Sequence, residues 1–135
     1  MMTTGISKGA LGCLVLGGYL RSDRTVVMGL PHLPENPSSF GLHLLPEDAE
    51  VIEASWREAI ERIPTVVVYS AETERDRIAS LGLAEKLSQV RTVAIADSSH
   101  AMLWPLAKRG ELGFCLRDWF LGPIPTGRQA ERRNK

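Results

Sequence analysis

Thr65-Val66-Val67-Val68-Tyr69 is a continuous run of β-branched and apolar residues with no polar alternation inside it. A strand with one face in water alternates polar and apolar side chains, whereas a strand covered on both faces by crossover helices is apolar at every position, so this run reads as a buried parallel strand. Arg24-Thr25-Val26-Val27-Met28 reads the same way, and Val90 to Ala96 (VRTVAIA) is a third β-branched segment. The stretches around them are helical. Gly9 to Leu20 is small and apolar all round, which a helix tolerates only when buried on most sides. Pro46 to Arg62 opens on a proline followed by Glu47 and Asp48, both favourable at a helix N-terminus, and sets Ile52, Trp56 and Ile60 on one stripe. Its Glu53–Arg57 and Glu58–Arg62 spacings place opposite charges one turn apart outside that stripe. Arg77 to Leu87 and Met102 to Phe120 complete the set, the last burying Leu112, Leu116 and Trp119 or Phe120. Helix and strand alternate throughout, which predicts an α/β domain: a parallel sheet of about three strands, right-handed crossovers, helices on both faces.

The 135 residues suit one domain, and no repeat or internal linker divides them. Residues 1–121 read as that domain. Residues 122–135 carry Pro123, Pro125 and Gly127, then Arg128, Arg132, Arg133 and Lys135 against Glu131, and read as a disordered basic tail. Sixteen basic residues cancel sixteen acidic ones, so the charge balance gives no footprint for nucleic acid or for a membrane surface. The longest uncharged run, Gly9 to Leu20, has 12 residues, too few to cross a bilayer. Its four glycines, with only Lys8 ahead of it, argue against a secretory signal. Cys13 and Cys115 lie far apart in apolar sequence, which suits reduced thiols in the cytoplasm. Metal-ligand spacing is absent and no cofactor is implied.

Two strings carry candidate chemistry. Gly5-Ile6-Ser7-Lys8-Gly9 matches G-x-S-x-G and runs directly into the helix of small residues. A serine on a sharp strand-to-helix turn occupies strained backbone, and flanking glycines let the neighbouring chain approach it. The helix N-terminus behind it, with the Lys8 amide, can stabilise a developing oxyanion. The second string, Val93-Ala94-Ile95-Ala96-Asp97-Ser98-Ser99-His100, is a strand, a short loop and a histidine ahead of an apolar helix. It places His100 at the carboxyl end of the last strand, the edge where parallel sheets bind ligands. His32 and His43 fall in the proline-rich stretch Pro31 to Pro46, read as a surface loop or lid.

On these strings, residues 4–121 resemble the C-terminal half of an α/β-hydrolase, from the nucleophile elbow through the cap region and the acid-bearing strand to the histidine and final helix. The resemblance implies a serine hydrolase acting on a small acyl substrate, an ester, thioester or amide, with Ser7 as nucleophile, His100 as base and the backbone of Lys8 in the oxyanion hole. The acid departs from the family's spacing, which falls on Thr73. Glu72 and Glu74 flank that place and are the preferred candidates for the acid, with Asp76 a third. The cap region Leu30 to Ile63, with Phe40, Leu44, Leu45 and Trp56, is expected to shape an acyl pocket.

Met1 to Thr4 reads as too short for the strand that precedes the elbow, so a truncated form of the fold is expected, a fragment or a degenerate protein, with a bare strand edge open to self-association. Two alternatives stand beside the hydrolase. One is a catalytically inactive remnant or binding protein. The other is an NAD(P)-dependent short-chain dehydrogenase, whose glycine turn Thr4-Gly5-x-x-x-Gly9 resembles. That turn needs a third glycine where Leu11 stands, and the second strand is followed by no carboxylate until Glu35.

Overall fold

The computed structural model describes residues 1–34 and 45–125. The architecture is α/β, a four-stranded sheet in the order β1-β2-β3-β4 with every neighbouring pair parallel. The elements are β1 (Met2–Ile6), α1 (Gly9–Leu20), β2 (Arg24–Met28), α2 (Pro46–Arg62), β3 (Thr65–Ser70), α3 (Glu74–Lys86), β4 (Val90–Ile95), α4 (Leu103–Lys108) and α5 (Leu112–Leu121).

The three apolar runs become β2, β3 and β4, and β3 is buried along its whole length. Residues of the two central strands alternate between two cores. Val27 and Val67 face one side with Ala10, Leu14 of α1 and Ala79, Leu83 of α3, and Trp56 and Ile60 of α2 pack onto the same cluster. Val26, Met28, Val66 and Val68 face the other side, against Met102, Leu106 of α4 and Trp119 of α5. The sheet grows in one direction and all three crossover helices lie on one face, which is what crossovers of a single hand produce. The face they leave open is closed by α4 and α5.

Three expectations are corrected. First, the strand before the elbow is present. Met2–Ile6 pairs with Arg24–Met28 residue for residue, and five residues suffice because Thr4 Oγ1 donates to Val26 O at 2.9 Å and the buried Thr3 and Thr25 hydroxyls hydrogen-bond to each other at 2.9 Å. The sheet therefore has four strands, with β1 and β4 at its edges. Second, the single helix read over Met102 to Phe120 is two. Gly110, at φ 74°, turns the chain out of α4 before α5 begins, as a glycine in left-handed conformation commonly does. Third, the segment after Leu121 is tied down at its start: Arg24 Nη2 donates to Gly122 O at 2.6 Å, and Ile124 packs against the core. The rest of the expected basic tail, residues 126–135, lies outside the described residues.

Two of the four glycines of α1, Gly17 and Gly18, are demanded because the helix is pressed between the sheet and α2. A Cβ at Gly18 would stand 1.8 Å from Ser55 O. Its outward stripe of Gly12, Leu16, Tyr19 and Leu20 is nevertheless exposed, which corrects the expectation of burial on most sides. Glu58 and Arg62 form the expected pair at 3.6 Å. Among the described residues no helix is long and apolar enough to cross a membrane.

Candidate active site

Every side chain of the candidate site stands at the carboxyl edge of the sheet. Ser7 follows β1 with φ 57°, a left-handed conformation that costs a non-glycine residue energy and persists only where the surroundings enforce it. Two backbone hydrogen bonds do so: Ser7 N–H donates to Met28 O at 2.9 Å, and Ala10 N–H donates to Ser7 O at 3.0 Å. Gly5 is required by the close return of α1, since a Cβ there would lie 2.2 Å from Gly9 O. Gly9 itself has open space where a Cβ would point, so of the two elbow glycines only Gly5 is sterically demanded. Lys8 caps α1, and among the described residues no group accepts its backbone N–H, which leaves that donor available beside Ser7.

His100 lies five residues beyond β4, its side chain one-third exposed. Its Nε2 is 2.7 Å from Ser7 Oγ, and its Nδ1 meets Asp76 Oδ2. Asp76, on α3, is completely buried. A buried carboxylate at Nδ1 holds the proton on that nitrogen and leaves Nε2 as the acceptor for the Ser7 hydroxyl. The other Asp76 oxygen, Oδ1, has Arg75 Nε at 3.5 Å and no hydrogen-bond partner among the described residues. Gly29, at φ 63°, ends β2 directly beneath the imidazole: a Cβ there would lie 3.4 Å from His100 Cε1 and 3.2 Å from Met102 Cε.

The structure thus brings Ser7 and His100 together, and the carboxylate that meets the imidazole is Asp76 rather than Glu72 or Glu74. Glu74 opens α3 and is exposed. Glu72 is exposed too, and its carboxylate accepts the Asp97 N–H at 3.0 Å and the Ser98 N–H at 3.4 Å. Those two amides hold its carboxyl below the usual glutamate range. A signal for Asp76 was present in the sequence: it shares a helical stripe, i, i+3, i+7, with Ala79 and Leu83, the buried face of α3.

Of the expected cap residues, Leu30 and Trp56 pack into the core, Leu45 is exposed, and Phe40, His43 and Leu44 lie outside the described residues. His32 is exposed and makes no hydrogen bond to the Ser7–His100–Asp76 chain. An apolar groove of about 400 Å³ opens between α1 and α2, lined by Val15, Leu16, Tyr19, Val51 and Ile52, and shares no residue with that chain. Among the described residues no cluster of three His, Cys, Asp or Glu side chains converges as a metal site would require. Cys13 and Cys115 are free, and burial pushes the Cys13 thiol up to about 12. No family model, curated protein or solved structure matches the chain.

Proposed function

We propose that the chain acts as a serine hydrolase on an ester, thioester or amide through an acyl-enzyme. One observation carries the reading: a strained serine, a histidine and a fully buried aspartate are joined in series by hydrogen bonds at the carboxyl edge of a parallel sheet. Ser7 Oγ attacks the carbonyl carbon while His100 Nε2 takes its proton, and Asp76 stabilises the imidazolium that forms. The carbonyl oxygen, now an anion, accepts from the Lys8 N–H at the start of α1. Collapse of the adduct expels the leaving group, which takes the proton from Nε2. Water then gives a proton to the same nitrogen and attacks the acyl-serine, and collapse of this second adduct releases the acid as Nε2 returns the proton to Ser7 Oγ.

A fluorophosphonate probe tests this directly. Covalent capture at Ser7, abolished in Ser7→Ala and strongly slowed in His100→Ala, supports the enzyme. A well-folded sample that takes up no probe favours the inactive remnant instead. Two further readings accompany the proposal. The free cysteines fit a reducing, cytoplasmic setting. The outer edge of β1, uncharged from Met2 to Ile6, is suited to pairing with a second copy, which sedimentation at increasing concentration detects.

A further inference from the structure

We infer that Glu72 is a positioning residue that locks the loop carrying the histidine onto the loop carrying the acid. The inference rests on the proposed Ser7–His100–Asp76 chemistry and deepens it. Asp76 sits in the first turns of α3 and His100 beyond β4, so their alignment depends on ties between the segment after β3 and the segment after β4. The structure holds three such ties. Ala71 N–H donates to Ile95 O at 3.0 Å, and the buried Ser70 hydroxyl donates to Ser98 O at 3.0 Å. The third is the Glu72 carboxylate, with Oε1 accepting Asp97 N–H at 3.0 Å and Oε2 accepting Ser98 N–H at 3.4 Å.

Asp97 is left-handed, at φ 51°. That conformation turns two successive backbone N–H groups the same way and makes a concavity that an anion fills. In this chain the anion is supplied from within. The peptide groups at Ser98 are thereby gripped on both sides, the N–H by Glu72 and the carbonyl by Ser70, two residues before His100. Ser98 Oγ donates to Ile95 O at 2.6 Å and Ser99 Oγ accepts the Ala101 N–H at 3.2 Å, which finishes the loop on either side of the grip. A carboxylate serving only the helix dipole would lie within the first turn of α3, as Glu74 and Asp76 do; Glu72 precedes that helix and turns both oxygens to the other loop. It touches neither Ser7 nor His100, so its effect on chemistry runs through the position of the imidazole.

The test uses the full chain with Glu72→Ala and Glu72→Gln, read by amide hydrogen exchange at Asp97 and Ser98 and by the rate of Ser7 acylation with a p-nitrophenyl ester. Glu72→Ala is expected to lose protection at both amides and to acylate about ten- to a hundredfold more slowly, the size that misplacing a catalytic group produces, while its thermal unfolding stays near that of the parent. Glu72→Gln, which keeps an acceptor oxygen, is expected to restore most of the protection and most of the rate. A purely structural surface carboxylate would show no such rescue. Free exchange of both amides in the parent protein, or protection unchanged in Glu72→Ala, overturns the inference. These amide measurements judge the clamp whether or not Ser7 is acylated, whereas a parent protein that neither turns over the ester nor takes up the fluorophosphonate overturns the hydrolase reading alone.

Discussion

Replacing Asp76 with asparagine keeps the shape of the buried side chain and changes only what it offers to the imidazole. Arg75 Nε, 3.5 Å from Oδ1, is a donor, so the asparagine carbonyl oxygen settles on that side and its amide group faces His100 Nδ1. An N–H donor there forces the proton onto Nε2, the nitrogen 2.7 Å from Ser7 Oγ, and the imidazole can no longer accept the serine proton. A wrong tautomer of this kind costs a serine–histidine–aspartate triad about 10⁴ in rate, or about 5 kcal/mol of transition-state stabilisation. The assay is stopped-flow acylation by a p-nitrophenyl ester, with circular dichroism and thermal melting to show that the variant is folded. Glu74→Gln run in parallel is expected to acylate at the parent rate. An Asp76→Asn protein that acylates within tenfold of the parent would refute the assignment of Asp76, and a collapse in Glu74→Gln would move the acid there.

Two other outcomes follow from the same coordinates. Gly29→Ala places a Cβ at φ 63° against Met102 and His100, and is expected to lower stability by about 1–3 kcal/mol in urea unfolding and to slow acylation; unchanged values in both would mean the imidazole does not rest on that turn. At the far end of the molecule, a hydrogen bond from the Arg91 guanidinium holds the Asp118 carboxyl below the usual aspartate range. Its folded value therefore lies below its unfolded value of about 3.9, so the stability it contributes is complete above that pH and is lost as pH falls through the lower folded value. Urea midpoints measured from pH 6 down to pH 2 are expected to fall more steeply in the parent than in Arg91→Met.

The fold was legible where residues had a single use. Val66 to Val68 cannot serve a half-exposed strand, and the Gly-x-Ser-x-Gly string standing ahead of a charge-free helix requires a turn at Ser7 whatever the rest of the chain does. β1 was not legible because Met2-Thr3-Thr4-Gly5-Ile6 lacks the continuous apolar run that marks β2, a strand of the same length. Its evidence lies in partners distant in sequence, in Thr3 against Thr25 and Thr4 against Val26 O. The break between α4 and α5 was legible in Gly110, yet the apolar spacing on either side of it suggested continuity. Gly18 shows the converse limit, since its need for a bare Cα comes from Ser55 on another helix and leaves no local trace.

The acid shows why spacing counted from a strand end misleads. Glu72, Glu74 and Asp76 are equivalent in composition, and a count along an extended loop ranks the first two ahead. Once α3 begins at Glu74, each step turns the side chain by about 100°, so two residues separate directions by roughly 200° and Glu74 and Asp76 face opposite ways. Asp76 shares its direction with Ala79 and Leu83 and goes under the helix, where it is fully buried, while Glu74 goes to solvent. Burial is what suits Asp76 to hold an imidazole, since a carboxylate in water would exchange that partner for solvent. Glu72, left outside the helix, keeps the extended reach needed to span to the next loop. The same change from loop to helix at Thr73 that removes Glu72 and Glu74 from the imidazole therefore assigns the three carboxylates to three destinations: the neighbouring loop, solvent and the histidine.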